Sequence, residues 1–218
     1  MTSRTLGKIA FTLFTLLSGV MTASAALANS ADEWRFRVYL DDKHIGYHNF
    51  RLTPTGDLQA LESTADFKVK FLMLTVYRYS HASTELWQRG CLRRIYASTD
   101  DNGDLSVVRG VTRDDSLMIY TTDGAEARSG CVKTFAYWDR SFLKGKRLLN
   151  SQTGEHIDIE VEPLGETIIE VRDKPVPARG YRLLAEDMVI DLWYSANDRW
   201  LALQSTTESG RKLRYLID

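Results

Sequence analysis

Trp34-Arg35-Phe36-Arg37-Val38-Tyr39-Leu40 alternates large apolar side chains with polar or tyrosyl ones, and this alternation decides the fold. A period of two puts Trp34, Phe36, Val38 and Leu40 on one face of an extended strand, with one face buried and the other wetted. Ile157-Asp158-Ile159-Glu160-Val161-Glu162 repeats the pattern with acidic residues outside. Working outward, further strands are expected at 45–52, 58–71, 75–87, 92–99, 105–113 and 117–121. The C-terminal part adds 167–171, 181–185, 188–194, 201–205 and 212–216. The joints are turn chemistry: Thr55-Gly56-Asp57, Asp101-Asn102-Gly103-Asp104, Thr122-Asp123-Gly124, Ser195-Ala196-Asn197-Asp198 and Glu208-Ser209-Gly210. Asn-Gly and Asp-Gly tolerate the positive φ of tight hairpins. Connections this short allow antiparallel neighbours only.

The expected fold is therefore mainly β, a curved antiparallel meander or half-barrel. One stretch breaks the rhythm. Over 134–150, Phe135, Tyr137, Trp138, Phe142, Leu148 and Leu149 are spaced irregularly, which predicts a short helix or packed loop plugging one opening of the sheet. Asp173-Lys174-Pro175-Val176-Pro177 reads as a rigid turn at a sheet edge.

The first 28 residues read as a cleavable export signal. Arg4 and Lys8 precede a 12-residue apolar run from Ile9 to Val20, and small residues crowd 22–28. Both Ala23-Ser24-Ala25 and Ala26-Leu27-Ala28 suit the peptidase, and cutting before Asn29 is favoured. A membrane anchor needs about 20 apolar residues. Lipid attachment needs a cysteine where Val20 stands. One β domain over 29–218 is expected, released into the periplasm, with full secretion as the alternative.

Removing residues 1–28 leaves 26 basic and 29 acidic residues and no basic stripe, which argues against nucleic acid. Cys91 and Cys131 are the only cysteines. In an oxidising compartment an isolated pair reads as a disulfide. The competing reading, a catalytic or metal-binding thiol, lacks both a Cys-x-x-Cys spacing and an indicated partner base.

The tests for chemistry are mostly negative. His44 and His48 lie about 13 Å apart on an extended strand, too far for one zinc ion unless a turn intervenes. His81 and His156 are isolated in sequence. Asp100, Asn102 and Asp104 start a calcium-loop pattern that fails at Leu105 and Val111, so a solvated turn is expected. No nucleophile elbow, His-Glu-x-x-His or phosphate-binding loop occurs. Tyr137-Trp138-Asp139 with Asn150, Gln152 and Glu155 is the most enzyme-like patch, and an aromatic plug with a polar turn is its simpler reading.

The stretch 67–79 says more. Phe67, Val69, Phe71 and Met73 fall on one face, while Leu72, Leu74 and Val76 make the other apolar as well. A strand apolar on both sides calls for cover on both sides. One face is expected either to join the core or to line an apolar cavity.

Several local patterns together resemble the exported bacterial family catalogued as domain of unknown function 6134. They are Trp34 through Phe50 with Asp41-Asp42-Lys43 and Ile45-Gly46-Tyr47-His48, Trp87-Gln88-Arg89-Gly90-Cys91-Leu92, and Thr99-Asp100-Asp101-Asn102-Gly103. Phe135-Ala136-Tyr137-Trp138-Asp139, Leu148-Leu149-Asn150 with Gln152-Thr153-Gly154, and Asp191-Leu192-Trp193-Tyr194 with Trp200-Leu201 continue it, and Gly210, Leu213 and Tyr215 close it. The resemblance implies a fold similar to the curved half-barrels of periplasmic lipoprotein and lipid carriers. It carries over no catalytic residues.

The leading expectation is a periplasmic protein that binds a lipid or other apolar molecule, with Phe67, Phe71, Met73, Tyr77, Trp87, Tyr137 and Trp138 as its lining. No cofactor and no metal are expected. An enzyme would need Asp139 or Glu155 to meet a histidine such as His81 or His156 in one cleft. An envelope interaction module would work through an open sheet edge.

Overall fold

A computed structural model of the protein describes residues 30–218 apart from 73, 186, 187 and 208. The expected export signal at 1–28 and the predicted lining residue Met73 lie outside the described residues. Eight strands form the N-terminal half: β1 (Asp32–Leu40), β2 (Lys43–Thr55), β3 (Leu58–Phe71), β4 (Leu74–Gln88), β5 (Cys91–Asp101), β6 (Asp104–Arg113), β7 (Ser116–Thr121) and β8 (Gly124–Ser129). Two short strands follow, β9 (Arg147–Leu149) and β10 (His156–Asp158). The rest are β11 (Glu160–Val171), β12 (Lys174–Ala185), β13 (Met188–Tyr194), β14 (Trp200–Thr206) and β15 (Lys212–Ile217).

Thirteen strands make one antiparallel sheet in the order β11-β12-β13-β14-β15-β1-β2-β3-β4-β5-β6-β7-β8. The meander is thus joined by its two ends, with Phe36 of β1 opposite Ile217 of β15 and Val38 opposite Tyr215. Its free edges, β8 and β11, fall in mid-chain. The sheet curls until β7 and β8 share a cleft with Ala185 and Met188 from β12 and β13. It does not close.

Segment 130–159 fills the inside of the curl. Val132, Thr134, Ala136, Phe142, Leu148 and Leu149 are all buried, and a single 3₁₀ turn, Arg140–Lys144, is capped by Asp139. This is the packed plug that the irregular spacing predicts. It meets the inward row Trp34, Phe36, Val38 and Leu40, together with Trp87, Leu192, Tyr194 and Trp200, to form the core. Full burial of each such side chain contributes about 1.5–3 kcal/mol. The Cys91–Cys131 disulfide ties the entry of the plug to the start of β5, next to a backbone bond from Leu92 N–H to the Val132 carbonyl of 2.9 Å.

Local chemistry sets the ends of the elements. Asn102 and Gly103 both have positive φ, as a two-residue hairpin turn requires, and Asp100 accepts a hydrogen bond from the Gly103 N–H at 2.7 Å. The calcium-like acids are therefore a capped turn.

Two local expectations differ from the structure, and one strand was not expected. Ile157 to Glu162 is not one strand: at Ile159 the backbone donates to Lys146, and β10 and β11 go to different partners. Ile157, Ile159 and Val161 still face the core across the break, so the alternation conceals it. Pro175 and Pro177 lie within β12 rather than in a turn, which is made by Arg172 and Asp173 at positive φ. β13 reaches only to Arg179, so that side of β12 is an open edge where the missing proline N–H groups cost nothing. Finally, β8 is an exposed edge strand with no apolar alternation to announce it.

Candidate functional site

The inner face of β2 to β5 is where the sheet departs from an apolar core. Pairing sets inward residues in rows across these strands. One row is His48–Ala65–His81–Thr99, the next is Phe50–Ser63–Ser83–Ala97, and a third is Leu52–Leu61–Glu85–Ile95. Small side chains at Ala65, Ser63, Ser83 and Ala97 stand between bulkier neighbours. The shortfall in volume leaves a cavity of about 210 Å³, roofed by Thr134 to Trp138 and Asn150 to Gln152 of the plug and walled by Tyr79 and Tyr215.

A β-bulge places the first histidine. The register between β1 and β2 shifts at Val38 and Tyr39, leaving Ile45 as the extra residue. Gly46 has φ +154 beside it, and its backbone approaches Asp66 too closely for any side chain. The bulge sends His44 outside, against Tyr39 and Tyr47, and turns His48 inward onto Phe50. The two histidines therefore occupy opposite faces and cannot share an ion.

Several polar groups of the cavity are paired, although the buried Trp138 Nε1 has no partner among the described residues. His48 Nε2 lies 2.7 Å from Ser63 Oγ, and His48 Nδ1 lies 3.4 Å from the Tyr215 hydroxyl. His81 Nδ1 meets Thr99 Oγ1 at 2.9 Å. Glu85 Oε2 accepts from Trp87 Nε1 at 2.8 Å and from Thr134 Oγ1 at 3.4 Å. His81 Nε2 and Glu85 Oε1 have no hydrogen-bond partner among the described residues.

Desolvation governs their charge. Burial, then the neighbouring His81, pushes the His48 imidazole down to about 3. Burial pushes His81 down to about 4. Burial pushes Glu85 up to about 7, against the pull of its bonds from Trp87 and Thr134. Burial also raises Tyr79, Tyr137 and Tyr215, so these phenols stay protonated. Below about pH 7 the cavity is thus lined by neutral donors and acceptors, and protonated Glu85 can donate.

A pH dependence of stability follows. Both histidines titrate lower in the folded chain than the usual 6.5, so as pH falls below 6.5 the unfolded chain takes up protons that the folded chain refuses. Glu85 works the other way: its contribution is complete below 4.5 and is lost as pH rises through about 7. Among the cavity groups, between pH 4.5 and 6.5 two favour high pH and one favours low, a net slope of about 1.4 kcal/mol per unit, to which His156, also held down by burial, adds. Urea midpoints should fall as pH falls across this range. In the His48→Gln/His81→Gln double variant the slope should fall sharply.

The residues expected as lining are dispersed. Tyr137 and Trp138 face the cavity. Phe67 is buried one row nearer the β3–β4 hairpin, stacked on Tyr79 at 5.2 Å. Trp87 is fully buried beneath the cavity floor, with its ring edge-on to Trp138 at 5.5 Å. Tyr77 lies outside it, its hydroxyl held by Asp101. Phe71 is the last residue of β3, opposite Leu74. Of the proposed acid-base pairings, Asp139 with His81 is not assembled, while Glu155 and His156 do line one cleft, with no hydrogen bond between their side chains among the described residues. Asp139 is engaged by Ser141 N–H and Oγ and lines outer grooves, whereas His81 faces the inner cavity. Glu155 and His156 flank the cleft between the sheet edges.

The sequence reading weighed His48 for a metal and His81 for an enzyme cleft but not as cavity lining, and it missed Ser63, Ser83, Glu85 and the Thr99 beside His81. A signal existed in β4, where Tyr79, His81, Ser83 and Glu85 alternate with Arg78, Ser80, Ala82 and Thr84. Such a strand carries polar residues on both faces, yet it lies well inside a wide sheet, so an inward polar row must follow.

Fold and site together define an open antiparallel half-barrel with a polar cavity on its inner face. The chain belongs to the family of domain of unknown function DUF6134, whose model matches residues 36–218. No curated protein sequence matches it. In fold it is similar to a crystal structure of a β-barrel-like protein of domain of unknown function DUF1849 from Brucella abortus. That likeness has a TM-score of 0.61 at 10% identity and covers 85% of this chain and 94% of that one. Among the described residues no helix is long and apolar enough to cross a membrane.

Proposed function

We infer that this chain is a binding protein of the bacterial periplasm that takes one small molecule with an apolar body and a hydrogen-bonding head into the inner cavity. The observation that carries this reading is the cavity lined by Ser63, Ser83, His81 and Glu85 on the inner face of the sheet. Ligand pockets combine apolar walls with a few placed polar groups, and Phe50, Leu61, Ile190 and Leu203 supply the walls. Drug-sized molecules occupy about 300–1,000 Å³. A cavity of about 210 Å³ suits a small molecule or the end of a longer one, not a whole lipid. The disulfide and the export-signal pattern support the compartment.

Native mass spectrometry of protein purified from its host's periplasm should show a small-molecule adduct. Ser83→Leu, which fills the cavity at a cost of about 1–3 kcal/mol, should abolish the adduct while the far-ultraviolet spectrum stays unchanged. Protein that is always empty, or an adduct retained by Ser83→Leu, would defeat the reading.

One observation favours a second reading: Ser63 Oγ lies 2.7 Å from His48 Nε2, the geometry of an acyl-transfer nucleophile and its base. An imidazole held at about 3 is a weak base, which ranks this reading lower. A fluorophosphonate probe that labels the wild type and not Ser63→Ala would support it, and absence of labelling would end it.

A further inference from the structure

Leu72, Leu74 and Val76 are 81%, 70% and 53% exposed, although a strand apolar on both faces calls for cover. Their position explains the exposure. β2 pairs with β3 only as far as Phe67, and β5 pairs with β4 only from Tyr79. Beyond those rows the two strands pair only with each other, as a ribbon with Leu72 and Leu74 at its tip, Val69 still packed on the core and Arg78 held by the backbone of Asn102. Other hairpins of the sheet turn on polar or glycine residues, such as Gly56-Asp57, Asn102-Gly103 and Asp114-Asp115. Leu72 moreover sits at φ 45, a left-handed conformation that glycine or asparagine adopts at less cost. Neither turn formation nor core packing accounts for a leucine there.

Charge identifies what the tip meets. Lys68 stands directly opposite Arg78, and like charges in that position repel. Asp66 reaches Lys68 at 3.0 Å, while Lys70 and Arg78 have no carboxylate partner among the described residues. Two acids, Asp66 and Asp101, lie at the base of the ribbon in the rows of Ser80 and Tyr79. From tip to base the order is apolar, cationic, then acidic. The Lys68–Arg78 pair lies three residues behind Phe71, about 10 Å along an extended chain. Apolar side chains at a bilayer surface enter about 5–10 Å into the boundary between headgroups and acyl chains. With the tip at that depth, the cations reach the level of the phosphates.

We propose that the β3–β4 ribbon is a membrane-docking element, which places its apolar tip in the interface of an anionic lipid bilayer and its basic collar on the headgroups. Each basic residue near such a surface strengthens partitioning about five-fold, and salt weakens the effect. Docking does not depend on the inner cavity, so the two readings fail separately.

The test is flotation of the chain, purified as its host processes it, with phosphatidylglycerol-containing vesicles and with pure phosphatidylcholine vesicles. The wild type should float with the anionic vesicles at low salt and detach as salt rises. Leu72→Asp/Leu74→Asp should lower partitioning at least about ten-fold, because two apolar anchors become charged. Lys70→Glu/Arg78→Glu should lower it by a similar factor on anionic vesicles, with little change on phosphatidylcholine. Both pairs are surface positions on the ribbon, and an unchanged melting temperature would show that the fold is intact. No flotation at low salt, or flotation unaffected by Leu72→Asp/Leu74→Asp, overturns the proposal. So does capture of a protein through the tip in cells with no vesicle binding, which would make the ribbon a protein-docking element.

Discussion

Gly46→Ala is expected to cost more than about 4 kcal/mol, enough to unfold much of the population or force β2 into another register. A Cβ at Gly46 would lie 1.8 Å from the Asp66 carbonyl oxygen, 2.9 Å from its carbon and 3.1 Å from Phe67 Cα. All three are backbone atoms of a paired strand, so no side chain can swing aside. The φ of +154 adds a conformation that alanine resists. Relief requires separating β2 from β3 or undoing the bulge at Ile45, and either change moves His48 out of its row. Domains of this size are stable by only about 5–15 kcal/mol. Urea unfolding followed by circular dichroism is the measurement. Gly56→Ala is the control: it also has positive φ, 64°, but no atom lies within 4 Å of the added carbon. It should cost about 1–2 kcal/mol from conformation alone. Equal effects from the two variants would show that β3 does not approach Gly46 as described.

Cys91→Ala/Cys131→Ala should lower stability by about 4 kcal/mol, because the bridge closes a loop with a separation of 40 residues in the unfolded chain. For a domain of this length that corresponds to a melting point lower by about 8–16 °C. The loss should be larger than loop entropy alone if the plug loosens, since the bridge holds its entry beside the Leu92–Val132 backbone bond. Scanning calorimetry with and without reductant separates the two. The double variant and the reduced wild type should agree, and neither should respond further to reductant. A drop below about 1 kcal/mol would mean that the plug is held by packing alone.

Much of the architecture was legible because its causes are local. Trp34, Phe36, Val38 and Leu40 alternate because one face of β1 is buried, and the same rule delimits β3 and β13 to the residue. Where a different cause operates the reading failed. β8 is held by hydrogen bonds to β7 and buries little, so nothing in Gly124–Ser129 signals it. The break at Ile159 is invisible because the core lies on the same side before and after it.

The site was less legible. His48 and His81 look isolated in the chain, and they share a row only because Ala65 pairs with both. The apolar run at 67–76 is plain in the sequence, and its expected cover is absent at Leu72, Leu74 and Val76. The reason is that β3 and β4 outrun β2 and β5, a fact of strand length in neighbours that the run itself does not encode.

By itself the sequence determined an antiparallel β protein with tight polar turns, an irregular inner segment and one cysteine pair. Period-two burial, positive-φ turns and composition act over a few residues, so they can be read in place. Only the tertiary structure decided that β1 pairs with β15, that the sheet stays open between β8 and β11, and that a polar cavity lies behind an apolar ribbon. Those features depend on register between distant residues: the contact of His48 with Tyr215 spans 167 positions. A shift of one residue in that register turns every inward side chain outward.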